Sequence, residues 1–136
     1  MVNRKPRILV VDDFETVRLL FIKCLGELGI DDIVQAEDGQ DALTKMNESQ
    51  AKGESFDLVF CDWNMPVMNG LELLQAVRKV EAFKETPFVM VTANSDENAV
   101  VEAMRAGVSE YLVKPFDTRS LGRTVQRVVA RFKAAA

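Results

Sequence analysis

Five times along this chain a short run of apolar residues ends on a polar one and is followed by apolar residues three and four positions apart. No other feature constrains the fold as strongly. A continuous apolar run is how a strand buried on both faces reads, while steps of three and four mark one side of a helix. Ile8 to Val11 are the first run, and Val17, Leu20, Phe21, Cys24, Leu25 and Leu28 the inward side of the helix after it, with Gly29 as its left-handed stop. Ile33 to Ala36 make a weaker strand, Asp38-Gly39 a turn, and Ala42, Leu43 and Met46 the buried side of a second helix. Leu58 to Cys61 lead to Asp62, and after a loop holding Pro66 and Gly70, Leu71, Leu74 and Val77 mark a third helix. Phe88 to Val91 lead to Thr92. A fourth helix is expected from about Asp96 to Ala106, capped by Ser95, with Val100, Val101 and Met104 inward and Gly107 as its stop. Tyr111 to Val113 lead to Lys114, and Leu121, Val125, Val128, Val129 and Phe132 line the last helix.

This succession predicts a doubly wound α/β fold, a (βα)5 three-layer sandwich whose five-stranded parallel sheet is joined by right-handed crossovers. One domain spans 1–136, with its core over about 7–133. In such folds ligands bind outside the carboxyl ends of the strands, where the strand order reverses.

Composition narrows the function. Asp and Glu outnumber Lys and Arg, 21 to 17, giving a net charge of −4 and no general attraction for nucleic acid. The opening MVNRKPRILV holds too few apolar residues in a row for a signal peptide or membrane span, so a cytoplasmic protein without membrane insertion is expected. Cys24 and Cys61 sit in apolar stretches and read as reduced core residues. The chain has no histidine, which excludes Ser/His and Cys/His catalytic pairs and histidine-ligated zinc. Carboxylates, hydroxyls and lysine must carry any chemistry.

The strand ends supply those groups. Asp12 and Asp13 follow the first strand, Asp62 the third, Thr92 the fourth and Lys114 the fifth. Three converging carboxylates repel one another unless a cation sits among them, and hard oxygen ligands suit Mg²⁺, which keeps water positions open for phosphate oxygens. Asp62 is the candidate nucleophile, able to form an aspartyl-phosphate, with Thr92, Lys114 and the metal neutralising the phosphoryl oxygens. Singly, these residues also read as a helix cap, a turn former and a solvated loop lysine. Their joint placement carries the inference. An aspartate-nucleophile phosphatase of the haloacid dehalogenase type would want a second carboxylate two residues after Asp62, where this chain has Asn64. A flavin carrier would want a Ser-, Thr- and Gly-rich phosphate loop where Asp13-Phe14-Glu15 stands.

The runs VVDDF at 10–14, AEDGQDAL at 36–43, DWNMP at 62–66, NGLELL at 69–74, MVTA at 90–93 and VKPF at 113–116 resemble the receiver domains of two-component response regulators, and among them the stand-alone chemotaxis members. The resemblance spans about 7–130 and implies the flavodoxin-like form of the sandwich. It further implies Asp12 and Asp13 as the acidic pair of a Mg²⁺ site, with Asp13, Asp62 and the Asn64 carbonyl as direct ligands, and Asp62 as phosphoacceptor. Thr92 and Lys114 become the phosphoryl-binding pair, the Lys114-Pro115 bond is cis, and Tyr111 is a switch aromatic. From the residues alone, Tyr111 reads equally well as a strand aromatic covering a helix, and Trp63 as an exposed loop aromatic.

Implied partners are a histidine kinase as phosphodonor, an output protein such as a flagellar motor switch component, and a phosphatase, around a monomeric protein that is no enzyme beyond acting on its own phosphoryl group. The output surface is expected to contain Val100, Tyr111, Val113 and Phe116. This chain departs from the motor-binding members by Asp96 and Glu97 at the start of the fourth helix, where those are basic, and by Thr124 where a lysine is usual. A non-motor output protein, or service as a phosphate sink, is the alternative. Arg119, Arg123, Arg127 and Arg131, four residues apart, form a stripe on the last helix that reads as a solvated face, a docking site for an acidic partner or a self-association face.

Overall fold

The computed structural model describes residues 6–93 and 97–135. Strands β1 (Ile8–Val11), β2 (Ile33–Ala36), β3 (Leu58–Asp62), β4 (Phe88–Thr92) and β5 (Glu110–Val113) form one parallel sheet in the order β2-β1-β3-β4-β5. Helices α1 (Glu15–Glu27), α2 (Gly39–Ala51), α3 (Gly70–Lys79), α4 (Glu97–Ala106) and α5 (Thr118–Ala135) alternate with them, and a single 3-10 turn at Glu81–Phe83, not legible in the sequence pattern, leads into β4. The expected doubly wound α/β sandwich is therefore present, with Asp62 and Thr92 as the last residues of their strands.

Successive strand residues enter opposite layers. Ile8, Val10, Phe60, Val91 and Leu112 pack with Phe21, Leu25, Leu121 and Val125 of α1 and α5, whereas Leu9, Val11, Val59, Cys61 and Met90 pack with Ala42, Met46, Leu73, Leu74 and Val77 of α2 and α3. Each such Leu, Ile or Phe contributes about 1.5–3 kcal/mol by leaving water. Two capped starts fix where helices begin: the Asp38 side chain accepts from the Asp41 amide at 2.8 Å, and Asn69 and Glu72 form a reciprocal capping box at α3.

Several inward assignments need correction. Leu20 on α1 and Leu28 just past it are 41% and 39% exposed: Phe21, Cys24 and Leu25 are the buried residues of the helix, with Val17 partly buried against the same core, and Leu28 lies beside Gly122 of α5. On α3, Leu73 is fully buried and Leu71 only half-buried. On α4, Val101 and Met104 face out at 45% and 65% exposure while the small Ala103 faces in. Phe116 is not a surface residue: it is buried, its ring 4.4 Å from that of Phe21. Ser95, Asp96 and the side chains of Phe132 and Arg131 lie outside the described residues.

At the amino-terminal edge of the sheet Arg7 ties four segments together. Its amide donates to Asp57 Oδ2 at 2.7 Å, its Nε to the Glu54 carbonyl at 2.8 Å, its Nη1 to Asp32 Oδ1 at 2.9 Å and its Nη2 to Ser49 Oγ at 3.0 Å. The guanidinium also lies 4.7 Å over the Phe56 ring. Among the described residues no helix is long and apolar enough to cross a membrane.

Candidate functional site

β1 and β3 are neighbours although β2 intervenes in the chain, and the helices leaving them go to opposite faces of the sheet. A cleft opens at such a reversal, and Asp12, Asp13 and Asp62 stand at it. One carboxylate oxygen from each of the three lies within 4.8 Å of the others.

Asp12 is enclosed and fully engaged. Its amide donates to the Ala36 carbonyl at 3.1 Å, Oδ1 accepts from the Phe14 amide at 2.9 Å, and Oδ2 accepts from Lys114 Nζ at 3.4 Å. Lys114 Nζ also donates to Asp62 Oδ1 at 3.1 Å, and the Lys114 amide donates to the Thr92 carbonyl at 2.7 Å. The Lys114-Pro115 peptide is cis, as the resemblance implied. Thr92 is buried at the end of β4, whose register sets Val91 opposite Asp62, so all four strand ends β1, β3, β4 and β5 contribute to one place. Asp13 Oδ1 is buried with no hydrogen-bond partner in the protein.

That orphaned oxygen decides what the cluster can hold. Three carboxylates face one ammonium, and a buried acceptor left without a donor costs free energy unless a cation or ligand satisfies it. The donor set is all hard oxygen, which fits Mg²⁺ and not a soft metal. Burial, and then the neighbouring Asp12 and Asp13 charges, push the Asp62 carboxyl above its ordinary range even though Lys114 pulls it down. Burial opposes the charge on Lys114, but its bonds to Asp62 and Asp12 prevail and hold its ammonium above the usual value. Burial, reinforced by Asp62 and Asp12, keeps the Cys61 thiol protonated, so the cysteine beside the site is inert packing.

Other candidates fall at different distances from this centre. Asn64 lies in the exposed loop two residues beyond Asp62. Trp63, read as an exposed loop aromatic, is half-buried and packs with Met65 and Met68 against the α2–α3 core. Tyr111 is half-buried against the same core from β5; Val100 is half-buried and Val113 43% exposed. Of the arginine stripe, Arg119, Arg123 and Arg127 are exposed, and Arg127 pairs with Glu110 at 3.4 Å. Thr124 is buried, its hydroxyl donating to the Ser120 carbonyl at 3.1 Å.

Two residues at the site escaped the sequence reading. Gly70 begins α3 against Asp62: a Cβ there would meet the Asp62 carbonyl oxygen at 2.5 Å. The Asn69…Glu72 capping-box spacing was the available signal for where that helix starts. Arg18 donates to the Asp12 carbonyl, and nothing in its helical position marked it.

The model of the response regulator receiver domain matches residues 8–126. The chain belongs to that family. This receiver is 39% identical to chemotaxis protein CheY of Pseudomonas aeruginosa, over 92% of this chain and 97% of that protein. Among solved structures, it superimposes on chemotaxis protein CheY4 of Vibrio cholerae with a TM-score of 0.83 at 34% identity, covering 92% of this chain and 99% of that one. The receiver domain of a sensor histidine kinase from Pseudomonas aeruginosa, determined with magnesium ion coordinated in the active-site cleft, gives a TM-score of 0.81 at 25% identity over 93% and 99% of the two chains.

Proposed function

We propose that this receiver accepts a phosphoryl group from a histidine kinase onto Asp62, with Mg²⁺ bound by Asp13, Asp62 and the Asn64 carbonyl beside Asp12, and signals in the cytoplasm as a monomer through altered protein binding in chemotaxis. The observation that carries this reading is the partnerless Asp13 oxygen beside an Asp62 carboxylate that Lys114 already contacts. The magnesium reported for the sensor-kinase receiver supports the metal, and the likeness to chemotaxis proteins supports the pathway.

In the transfer, an Asp62 oxygen attacks phosphorus, the P–N bond to the donor imidazole breaks, and the imidazole leaves as its ring nitrogen keeps the electron pair and takes up a proton. Bound Mg²⁺ supplies charge neutralisation for the phosphoryl oxygens. Lys114 exchanges its Asp12 contact for a phosphoryl oxygen, and the Thr92 hydroxyl donates to another. Water later hydrolyses the acyl phosphate, so the only reactions are on the protein's own phosphoryl group, with a phosphatase able to hasten the second. Tyr111, Val100 and Val113, with exposed Val101 and Met104, form the face through which a changed conformation is read. A flagellar motor switch component is one such reader. A non-motor output protein is the second reading, favoured because Thr124 is buried and bonded to its own helix, leaving no cation there for an acidic motor peptide.

Acetyl phosphate with Mg²⁺ is expected to label the protein once, in a base-labile form, and Asp62→Asn to abolish the label. Full labelling of that mutant, or labelling that survives complete chelation of divalent metal, would overturn the reading.

A further inference from the structure

Asp13 leaves β1 through the peptide that joins it to Asp12, and a residue with no part in the acceptor chemistry grips that peptide. Arg18 on α1, half-buried, donates from Nη1 to the Asp12 carbonyl oxygen at 2.6 Å and from Nε to Gln35 Oε1 on β2 at 2.9 Å. Gln35 is itself held, since its carbonyl accepts from Lys45 Nζ at 2.6 Å and Lys45 pairs with Asp41 at 3.1 Å. With Arg18 in place, Asp12 is bonded at its amide, both carboxylate oxygens and its carbonyl. The peptide plane is then fixed, and with it the direction in which the Asp13 side chain sets out. Asp13 is the residue whose buried oxygen has no partner.

We propose that Arg18 is a positioning residue for divalent-cation binding: by pinning the Asp12-Asp13 peptide to the edge strand β2, it aims the Asp13 carboxylate at the cation. The inference rests on the metal reading above and deepens it. Charge alone argues for the opposite outcome. A guanidinium near three carboxylates cancels part of the field that attracts a cation, so its loss should tighten binding if it acted only as a charge. If it acts by orientation, its loss weakens binding, as removal of a group that supports a metal ligand does.

The opposite signs make the test decisive. Mg²⁺ is titrated calorimetrically, with Trp63 emission in parallel, into the metal-free full chain, well below each variant's melting temperature in chelator. Arg18→Met is expected to raise the Mg²⁺ dissociation constant about 10-fold, and Arg18→Lys, which keeps the charge and one donor group, to recover part of that loss. Unchanged or tighter binding by Arg18→Met overturns the positioning role. A wild-type protein with no saturable response, or an Asp13→Ala variant that titrates like wild type, overturns the metal site itself and the inference with it.

Discussion

Two cations stand at opposite edges of the sheet, each set against two aspartates. Arg7, at the amino-terminal edge, reaches Asp32 with its guanidinium at 2.9 Å and Asp57 with its amide at 2.7 Å, and its remaining donors meet Glu54 and Ser49. Lys114, at the carboxyl-terminal edge, reaches Asp62 at 3.1 Å and Asp12 at 3.4 Å, in a cluster that leaves Asp13 Oδ1 with nothing. The first arrangement is closed: each guanidinium nitrogen donates to an acceptor within 3.0 Å, and Phe56 covers the guanidinium. The second is open, with surplus negative charge and a raised Asp62 carboxyl. Ion pairs that are complete in themselves hold a fold together, while incomplete ones are shaped for something that arrives.

The two cations differ most when each is removed in turn. Lys114→Ala, measured in saturating Mg²⁺ so that the buried Asp12 and Asp62 keep a counter-charge, should slow phosphorylation from acetyl phosphate about 100-fold, the scale of losing one preorganised charge donor, while melting within a few degrees of wild type. Arg7→Ala should do the reverse, lowering stability by about 1–2 kcal/mol by removing three side-chain hydrogen bonds, one of them to the buried Ser49, and the cover over Phe56, with labelling per folded molecule unchanged. Chemical denaturation and phosphate incorporation on both variants check this, and a Lys114→Ala protein that lost as much stability as Arg7→Ala would erase the distinction.

A smaller effect is expected in the loop after Asp62. Val67 is 80% exposed and has φ of 68°, a left-handed conformation costly for a β-branched side chain and uncompensated by burial. Val67→Asn, which tolerates that conformation, should raise stability by about 1 kcal/mol, read as a higher urea midpoint with an unchanged slope. A lower midpoint would mean that the valine makes a contact worth more than its strain.

The smallest effect sharpens the electrostatic side. Because the Asp62 carboxyl is raised in the folded protein, mainly by burial, the folded state binds its proton more tightly than the unfolded chain does. Stability in chelator should therefore fall as pH rises from the unfolded-state value through the folded one, and the lost part is recovered in acid. Asp62→Asn lacks this penalty. It should exceed wild type in stability at neutral pH, and the gap should narrow as pH drops; a gap that stays constant with pH would assign the difference to packing.

How far the sequence discloses all this depends on whether an element's partner is visible in its own pattern. The strands and the acidic cluster were legible because four of the five apolar runs lead straight to a polar group of the site, and a parallel sheet gathers all carboxyl ends at one edge. The orientation of α4 was not: Val100, Val101 and Met104 and the alanines at 103 and 106 both recur at helical steps, and it is Ala103 that is buried and Ala106 that packs on the α2–α3 core. Phe116 was misplaced for a related reason, since it lies beyond β5, where strand alternation no longer assigns a side, and only Phe21 from α1 shows where its ring goes. Arg18 acts through a carbonyl, and a backbone acceptor leaves no trace in side-chain pattern.

The contact between Gly70 and Asp62 bears on how this sequence can drift. Gly26, within α1, has nothing within 4 Å of the place a Cβ would occupy, and selection can exchange it for any helix former. Gly70 has the Asp62 carbonyl oxygen at 2.5 Å and Met90 Sδ at 2.8 Å, so any side chain there must push α3 and β3 apart beside Asp62. Substitutions elsewhere in α3 can accumulate one at a time, but position 70 offers no neutral neighbour in sequence space. The start of that helix and the position of Asp62 are thereby tied into one constraint on the sequence.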